Sequence, residues 1–454
     1  MHKVVREWQY VEVGEGQNAF SRAQANKLIK AAKQHPISGE DGGRVLTDHY
    51  HRLRAQQVVG VVAAADCSLE ILPKVDAEDI NDESETTLRT RLISLLSLSL
   101  DLKISDGDVA TLARQHHGLL DILIRLFADR LLRETRRGLA RLYVRQEDVL
   151  PELKGQLDVL KQFSVHAGRA DRLACRFDVL SVDIALMQIM KACVVFLSKH
   201  ARHVETKRRL AELRFVLEDV SNVAPRALPW SQIRVDRNNH RWQTLIDMAR
   251  LFLDQDWQAT HYQANKTEGI SLLFPMNALF ESTVAAILRK ALAPFGFEVV
   301  SQGGFRRCLG EWNSEAEIAG TLFSSRPDLI VKRYGKVVAI VDAKWKCIGT
   351  NVEDPKRGVT QADVYQMMAY AQLYQCNRLV LLYPHNRALE SAGLQCTHGI
   401  AVQGRKPADR LDVATIDISQ SASMMVEQMQ QLVLGLLEPS LKRDVEVGAA
   451  SLAH

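Results

Sequence analysis

Two acidic residues and a lysine interrupt an otherwise apolar stretch in the C-terminal third of the chain. The segment RPDLIVKRYGKVVAIVDAKWK (326–346) carries Asp328 before one apolar run, and Asp342 and Lys344 after the next. Carboxylates at the ends of buried strands repel each other and lose hydration unless a cation compensates them. A lysine two residues beyond an aspartate lies on the same side of a strand and can stabilise charge on a phosphate. The pattern therefore points to metal-assisted hydrolysis of a phosphodiester.

The glycine in the middle of this segment, Gly335, predicts a β-hairpin. With a three-residue turn ending at this glycine, Asp328 faces Ile340. It then shares one face of the hairpin with Asp342 and Lys344. The two carboxylates become diagonal neighbours, roughly 7–8 Å apart between backbones and within reach of one ion. A two-residue turn would move Asp328 to the opposite face, so the site depends on a turn type that the sequence leaves open.

Magnesium is the cation that suits this set of donors. Mg²⁺ prefers oxygen ligands and is usually held by one or two carboxylates, with water and substrate phosphate filling the other positions. Asp328 and Asp342 are the expected carboxylates, and Lys344 is the expected positive charge beside the phosphate. The alternative interpretation is that Asp342 and Lys344 form a plain surface ion pair, which contributes little.

Predicted helices on both sides of the hairpin carry further polar candidates. Glu281 lies on the helix predicted for FPMNALFESTV (274–284), where it could be a third carboxylate or ordinary helix surface. Gln366 and Tyr370 are four residues apart and share one face of the helix that follows the hairpin. A helix, a strand, a hairpin, a helix and a strand in this order predict an α/β core with a mixed sheet.

Hydrophobic patterning divides the rest of the chain into parts that support this core. Residues 1–80 have the pattern of strands and predict a β-rich domain, whereas residues 86–265 have apolar residues at helical spacing and predict a helical region. Within that region, residues 153–180 break the helical pattern and could form an extended hairpin. Residues 270–435 contain the α/β core, and residues 436–454 form a polar tail. The expected fold class is therefore a multidomain α+β protein.

Length and composition are those of an ordinary globular protein. The 454 residues suffice for roughly two to four domains. No uncharged apolar run reaches about 18 residues and no apolar leader begins the chain, so neither a membrane span nor a secretory signal is expected. The 7 cysteines are scattered and form no CxxC pair, which argues against a zinc ribbon and a disulfide scaffold. A reducing, cytoplasmic location is expected.

The predicted helical region has an excess of positive charge. Between Arg130 and Arg241 there are 22 lysines and arginines against 13 aspartates and glutamates, whereas the whole chain has a net charge of only +4. This excess favours contact with a polyanion or with an acidic partner. Solvated helix faces would have the same composition, so both interpretations stay open.

The order of the motifs resembles the PD-(D/E)xK nuclease superfamily and, more closely, the McrC family. Four segments are similar to the nuclease motifs of that family: FPMNALFE (274–281), RPDLIV (326–331), VDAKWK (341–346) and DVYQMMAYAQLY (363–374). Four others resemble its N-terminal hairpin and middle region: VVGVVAAADCSLEILPKV (58–75), RRGLARLY (136–143), LKGQLD (153–158) and CRFDVLSVD (175–183). The resemblance covers residues 1–390, whereas the polar insert at 33–45 and the segment beyond 405 lie outside its pattern.

The resemblance implies a function for each part. McrC proteins are the nuclease subunits of McrBC-type, modification-dependent (type IV) restriction systems, which act in antiviral defence. The C-terminal part is expected to be a Mg²⁺-dependent DNA endonuclease with Asp328, Asp342 and Lys344 as catalytic residues. Glu281 matches a supporting position and a third metal ligand, and Gln366 matches another supporting position. No other cofactor is implied.

The resemblance also implies a partner. The N-terminal part is expected to dock into the pore of a hexameric, McrB-like AAA+ GTPase and to stimulate its GTP hydrolysis. Recognition of modified bases in double-stranded DNA would belong to that partner. The chain has no P-loop motif of the form GxxxxGK[ST], which agrees with a motor on a separate polypeptide.

Two other functions stay open at this point. A protein of the same shape could be a non-cleaving adaptor whose role is to activate the GTPase motor. It could also be a stand-alone restriction endonuclease that needs no motor. The sequence contains no helix-turn-helix or zinc-finger signature, which weighs against a protein that binds DNA without a partner.

Overall fold

A computed structural model of the chain describes residues 1–33, 35, 44–64, 66–74, 83–101, 118–169, 171–224, 227–233, 240–253, 270–303, 306–312, 318–349, 356, 358–402 and 405–451. Most of the polar insert predicted at 33–45 lies outside the described residues. The chain divides into two compact units, one formed by Met1–His116 with Asn265–His454 and the other by His117–Ala264. The first unit therefore joins the N-terminal and C-terminal parts of the chain.

The N-terminal part of the first unit is rich in strands. They are β1 (His2–Arg6), β2 (Tyr10–Glu12), β3 (Leu46–Asp48), β4 (Arg52–Ala55), β5 (Val58–Ala63) and β6 (Ser68–Leu72). Two helices accompany them, α1 (Arg22–Lys33) and α2 (Glu85–Ser99). Every residue of β5 and β6 is buried, and the buried carboxylate of Glu70 on β6 forms an ion pair with Arg89 of α2. Helix α1 is not among the elements that the patterning predicts.

The second unit combines helices with a small sheet. Its helices are α3 (Leu119–Arg136), α4 (Val159–Ser164), α5 (Ala185–Ser198), α6 (Val204–Val216) and α7 (Gln243–Leu253), with 3₁₀ turns at Trp230–Gln232 and His240–Trp242. Its strands are β7 (Leu142–Leu150), β8 (Gln156–Leu157) and β9 (Leu173–Ser181), which form an antiparallel sheet in the order β7-β9-β8. Strands β8 and β9 lie in and next to the break at 153–180, where an extended hairpin is expected, whereas β7 is not predicted. The sequence of β7, LYVRQEDVL, lacks the apolar alternation of a half-buried strand, and most of its side chains are exposed.

The C-terminal part of the first unit is built around a six-stranded mixed sheet. Its helices are α8 (Met276–Leu292), α9 (Gln361–Tyr374) and α10 (Ala422–Ser451), with a 3₁₀ turn at Ala293–Phe295. Its strands are β10 (Ile270–Pro275), β11 (Glu298–Ser301), β12 (Arg306–Trp312), β13 (Ile318–Ser325), β14 (Leu329–Arg333), β15 (Lys336–Ala343), β16 (Arg378–Pro384), β17 (Gly393–Val402) and β18 (Arg405–Ile416).

The strand order of the large sheet is β11-β14-β15-β16-β18-β17, and β12 pairs with β13 separately. Strands β15, β16 and β18 are parallel, whereas the other pairs are antiparallel, so the predicted mixed sheet is confirmed. Helices α8 and α9 both contact β15, the strand that carries Asp342. Helix α10 continues to Ser451, where the sequence predicts a polar tail. None of the helices that the structure describes combines the length and apolar character needed to cross a bilayer.

Strand β10 joins the two parts of the first unit. It pairs antiparallel with β5 and so completes the N-terminal sheet β1-β6-β5-β10. Strand β10 ends at Pro275, and Met276 begins the helix that carries Glu281. Gly60 permits the close pairing, because a Cβ atom at this position would lie 2.0 Å from the carbonyl oxygen of Leu272. The N-terminal sheet is thereby anchored to an element that positions a candidate site residue.

Candidate active site

The hairpin between β14 and β15 has a two-residue turn, so the three-residue turn that the site prediction required is wrong. Arg333 pairs with Lys336 across the turn. The turn residues Tyr334 and Gly335 have φ values of 48° and 78°. Two consecutive positive φ values are typical of the two-residue turns whose twist matches that of the strands. With this turn and a regular ladder, Asp328 would not share a face with Asp342.

A β-bulge restores the shared face. The register of the hairpin shifts by one residue between the turn and the active-site end of the strands. Beyond the bulge, Leu329 pairs with Val341. Asp328 therefore lies opposite Asp342, and its Oδ2 atom accepts a hydrogen bond from Ala343 N at 3.0 Å. The two carboxylates thus face each other directly rather than diagonally.

Asp342 is fully buried near the end of β15. Ile340, two residues earlier, packs in a core cluster with Met367 and Tyr370 of α9, so the Asp342 side chain lies on the face that this helix covers. Burial raises the pKa of Asp342 to about 6, and the negative charge of Asp328 adds to the effect. No donor among the described residues makes a hydrogen bond of normal geometry to either carboxylate oxygen of Asp342.

Lys344 supplies the positive charge beside this carboxylate. Its Nζ atom lies 2.6 Å from Asp342 Oδ2, which is an ion-pair distance although the contact lacks hydrogen-bond angles. Burial lowers the pKa of Lys344, but the negative charges around it, first that of Asp342, outweigh burial and raise the pKa overall. The amine therefore stays protonated at neutral pH. Because the Asp342 side chain is 0% exposed, the pair is not the solvent-exposed ion pair of the alternative interpretation.

Glu281 approaches the aspartates from α8. Its Oε1 atom accepts a hydrogen bond from Gln302 Nε2 at 2.8 Å. Gln302 in turn accepts a hydrogen bond from Arg326 Nη2 at 2.6 Å. Burial, followed by the negative charge of Glu281, raises the pKa of Asp328. The structure thus places Glu281 within electrostatic reach of Asp328, next to the loop that precedes β14.

A chain of polar contacts links Lys344 to α9. Lys344 Nζ donates to Gln366 Oε1 at 3.3 Å, and Gln366 Nε2 donates to the Tyr370 hydroxyl at 2.7 Å. The Tyr370 hydroxyl donates to the carbonyl oxygen of Arg326 at 3.1 Å. Gln366 and Tyr370 therefore share one helix face, as their spacing predicts. The chain fixes the orientation of the Gln366 amide with its oxygen toward the lysine.

Sequence reasoning missed further side chains at this site. Asp363 is buried on the first turn of α9 and forms an ion pair with Lys346 at 3.1 Å. Its position three residues before Gln366, on the same helix face, is a signal that could have revealed it. Gln302 gives no such signal, because its bond to Glu281 spans 21 residues of sequence.

The facing aspartates fit a hard divalent cation. In the part of the chain that the structure describes, no three Asp, Glu, His or Cys side chains form a ready-made metal cluster. A cation would therefore be held by two carboxylates together with water and phosphate oxygens, which is the usual way of binding Mg²⁺. The buried Asp342 oxygens are acceptors that such an ion would satisfy.

Comparison with protein families decides where the chain belongs. Residues 53–384 match the family model described as McrBC 5-methylcytosine restriction system component. The chain belongs to the McrBC family. The matched range includes all the candidate residues of the site: Glu281, Asp328, Asp342, Lys344, Gln366 and Tyr370. The McrC resemblance of the motifs is thereby confirmed at the level of the family.

Two solved structures share the fold of this McrBC-family chain. One is the refined half-complex from a tetradecameric assembly of Thermococcus gammatolerans McrB AAA+ hexamers with bound McrC. It has a TM-score of 0.71 and 19% identity, and the match covers 96% of this chain and 100% of that chain. The other is the cryo-EM structure of the Thermococcus gammatolerans McrBC complex, with a TM-score of 0.52, 21% identity, and coverage of 64% of this chain and 88% of that chain. No curated protein matches the chain.

Proposed function

We propose that this McrBC-family protein is the nuclease subunit of a modification-dependent, type IV restriction system. It cleaves double-stranded DNA as a Mg²⁺-dependent endonuclease with a PD-(D/E)xK core. It works with a separate AAA+ GTPase, which it stimulates and which reads the modified bases. The observation that carries the proposal is the fully buried Asp342 facing Asp328, with Lys344 beside it.

This arrangement favours a nuclease over a non-cleaving adaptor. Two facing carboxylates in a partly dehydrated site repel each other and lose hydration, so they reduce the stability of the fold. Apolar residues at the same positions would pack at lower cost, and buried ionic groups are often replaceable without loss of stability. Strongly perturbed carboxylates with a specific charged neighbour are typical of functional sites. An adaptor would gain nothing from keeping them.

Each residue has a role that follows from its position. Asp328 and Asp342 hold the ion, and Glu281 beside Asp328 is the third candidate ligand. Magnesium, when bound, polarises the scissile phosphate as a Lewis acid. Lys344 remains protonated, stabilises the negative charge that develops on the phosphate oxygens and orients the attacking water. Gln366 holds the lysine amine in place through its amide oxygen.

The proposed partner follows from the fold likeness. The T. gammatolerans McrC with which this chain shares its fold is bound to McrB AAA+ hexamers. We assign docking on the motor to the N-terminal region, residues 1–80. The excess of positive charge between Arg130 and Arg241 would then contact the DNA backbone or the motor. Phosphate contacts of this kind add affinity without reading sequence.

A cleavage assay with and without the partner tests this proposal. Methylated and plain DNA are incubated with Mg²⁺, GTP and the purified protein, in the presence and absence of the AAA+ protein of the same restriction system. We expect double-strand cleavage of methylated DNA only when both proteins are present. Vigorous cleavage without the motor would support the stand-alone alternative. Stimulated GTP hydrolysis with no cleavage under any condition would support the adaptor.

A further inference from the structure

A buried glutamate in the N-terminal part of the first unit contacts the strand end that carries the site. Glu7 follows β1 and is 1% exposed. Its Oε2 atom accepts hydrogen bonds from Lys74 N at 3.0 Å and from Trp345 Nε1 at 3.3 Å. Its Oε1 atom has no hydrogen-bond partner within the described part of the chain. Glu7 and Trp345 are 338 residues apart in sequence, and the roles assigned above use neither of them.

Trp345 lies between two segments of the candidate site. It follows Lys344 directly in the chain and is buried, with 8% of its surface exposed. Its indole ring packs against the ring of Phe280, with centroids 5.4 Å apart and planes at 55°. Phe280 directly precedes Glu281 on α8. The orientation of one indole ring therefore constrains the backbone on both sides of the carboxylate cluster.

Glu7 is itself held rigidly. Strands β1 and β6 are parallel, so both end at the same edge of their sheet. There Glu7 N donates to the carbonyl oxygen of Leu72 at 3.0 Å, and Lys74 N donates back to the Glu7 carboxylate. Its backbone and its side chain are thus both bound to the end of β6. A group fixed at two points can define the position of a third group that bonds to it.

Burial of the Glu7 carboxylate reduces the stability of the fold. A buried carboxyl oxygen without a donor loses its hydration without compensation. An apolar side chain would avoid this cost but would leave the N–H groups of Lys74 and Trp345 unpaired. A glutamate at this position is therefore explained by the hydrogen bond that its carboxylate accepts from Trp345, in addition to the one that it accepts from the backbone of Lys74.

We propose that Glu7 is a positioning residue for the nuclease site. Its hydrogen bond to Trp345 holds the indole against Phe280 and thereby sets the place of Lys344 relative to Asp342. The inference rests on the nuclease function proposed above, because Glu7 touches neither the carboxylates nor the lysine. Displacing a catalytic group by a fraction of an ångström lowers turnover more than substrate binding, since the transition state is the more sensitive to geometry.

Variants of the two bonded residues separate positioning from stability. Trp345→Phe keeps an aromatic ring against Phe280 and removes only the N–H donor. Glu7→Leu keeps a similar volume and removes the acceptor. Glu7→Gln keeps an acceptor oxygen and serves as the conservative rescue. Glu427→Gln is the matched control, because Glu427 is an exposed glutamate of the same unit and lies outside the region assigned to docking on the motor.

Cleavage of methylated DNA is measured in the complex with the AAA+ partner. We expect Trp345→Phe and Glu7→Leu each to lower kcat on the order of tenfold with little change in KM. The double variant should lose no more than Glu7→Leu alone, because both changes remove the same bond. Glu7→Gln and Glu427→Gln should keep the wild-type kcat, and all variants should stimulate GTP hydrolysis normally.

Several outcomes would overturn the inference. Full activity of Trp345→Phe, the mildest change and the one least able to disturb folding, would show that the bond does not position the lysine. Additive losses in the double variant would show that Glu7 and Trp345 act separately. A wild-type complex that cuts no DNA would refute the nuclease function and this inference with it. A cutting wild type with unaffected variants would refute this inference alone.

Discussion

Three ionisable groups at the end of β15 determine one another's charge. Burial raises the pKa values of Asp328 and Asp342, and the negative charge of Glu281 adds to the effect at Asp328 as that of Asp328 does at Asp342. The negative charge of the two aspartates keeps Lys344 protonated. A divalent ion placed between the carboxylates would remove the repulsion and lower both pKa values. At the residue scale, the negative charge of the carboxylates is not fully compensated, and this favours the binding of a cation.

Replacing Lys344 by alanine tests the role of the amine. We expect the rate of DNA cleavage to fall by about 100-fold or more, since a preorganised charge at the phosphate is lost. Binding of Mg²⁺, measured by calorimetry, should persist because both aspartates remain. Lys336→Ala is the control, as Lys336 is an exposed lysine at the other end of β15. Loss of Mg²⁺ binding in Lys344→Ala would instead assign the lysine a structural role.

Glu7 predicts a pH dependence of stability. Burial raises its pKa from 4.5 to about 7. A carboxyl whose pKa is raised on folding stabilises the fold fully below pH 4.5, and this contribution is lost as the pH rises through about 7. The free energy of unfolding of the wild type, relative to Glu7→Gln, should therefore fall by roughly 3 kcal/mol over this range.

Urea unfolding across the same pH range measures this difference. Glu15→Gln should follow the wild type at every pH, because Glu15 is exposed. A Glu7→Gln difference that stays constant between acidic and neutral pH would contradict the assignment.

Two elements next to the candidate site could be predicted from the sequence. The apolar run RLVLLYP predicts a strand at 378–384, and β16 has these bounds. The helix predicted from Thr360 begins as α9 directly after this residue, whose side chain accepts a hydrogen bond from Asp363 N. Strand β17 (GLQCTHGIAV) was not predicted, because its polar and small residues lack a strand pattern and its pairing with β18 stabilises it.

The hairpin shows where local sequence stops being informative. Gly335 correctly predicts a turn, but neither the two-residue turn nor the bulge is written in the residues around it. Strands β14 and β15 also pair with β11 and β16, so contacts distant in sequence act on the hairpin as well. Asp328 and Asp342 share one face, as predicted, but a β-bulge places them there rather than a three-residue turn.

The contact between β5 and β10 gives a prediction at the element scale. Gly60 has a φ of +129°, and a Cβ atom there would meet the Leu272 carbonyl oxygen at 2.0 Å. Gly60→Ala should therefore separate the strands and reduce the free energy of unfolding by about 2–4 kcal/mol. Gly14→Ala is the control, because nothing lies within 4 Å of the added atom. Equal stability of the two variants in chemical denaturation would contradict the described pairing.

On the scale of the whole molecule, the site is assembled from segments that are far apart in the sequence, so their contacts could not be predicted from it. The patterning separates residues 1–80 from residues 270–435, yet β10 completes the N-terminal sheet and Glu7 bonds to Trp345. No local pattern predicts a pairing across 338 residues. The family, in contrast, was accessible from the sequence because its motifs keep their order, and the match over residues 53–384 confirms it.

The most direct test of the central claim is a single variant with two readouts. Asp342→Asn keeps the shape of the side chain and removes the charge that would hold the metal ion. In the complex with the AAA+ partner, with Mg²⁺ and GTP, we predict that this variant stimulates GTP hydrolysis like the wild type and leaves methylated DNA uncut. Continued cleavage by Asp342→Asn at the wild-type rate would contradict the assignment of the active site.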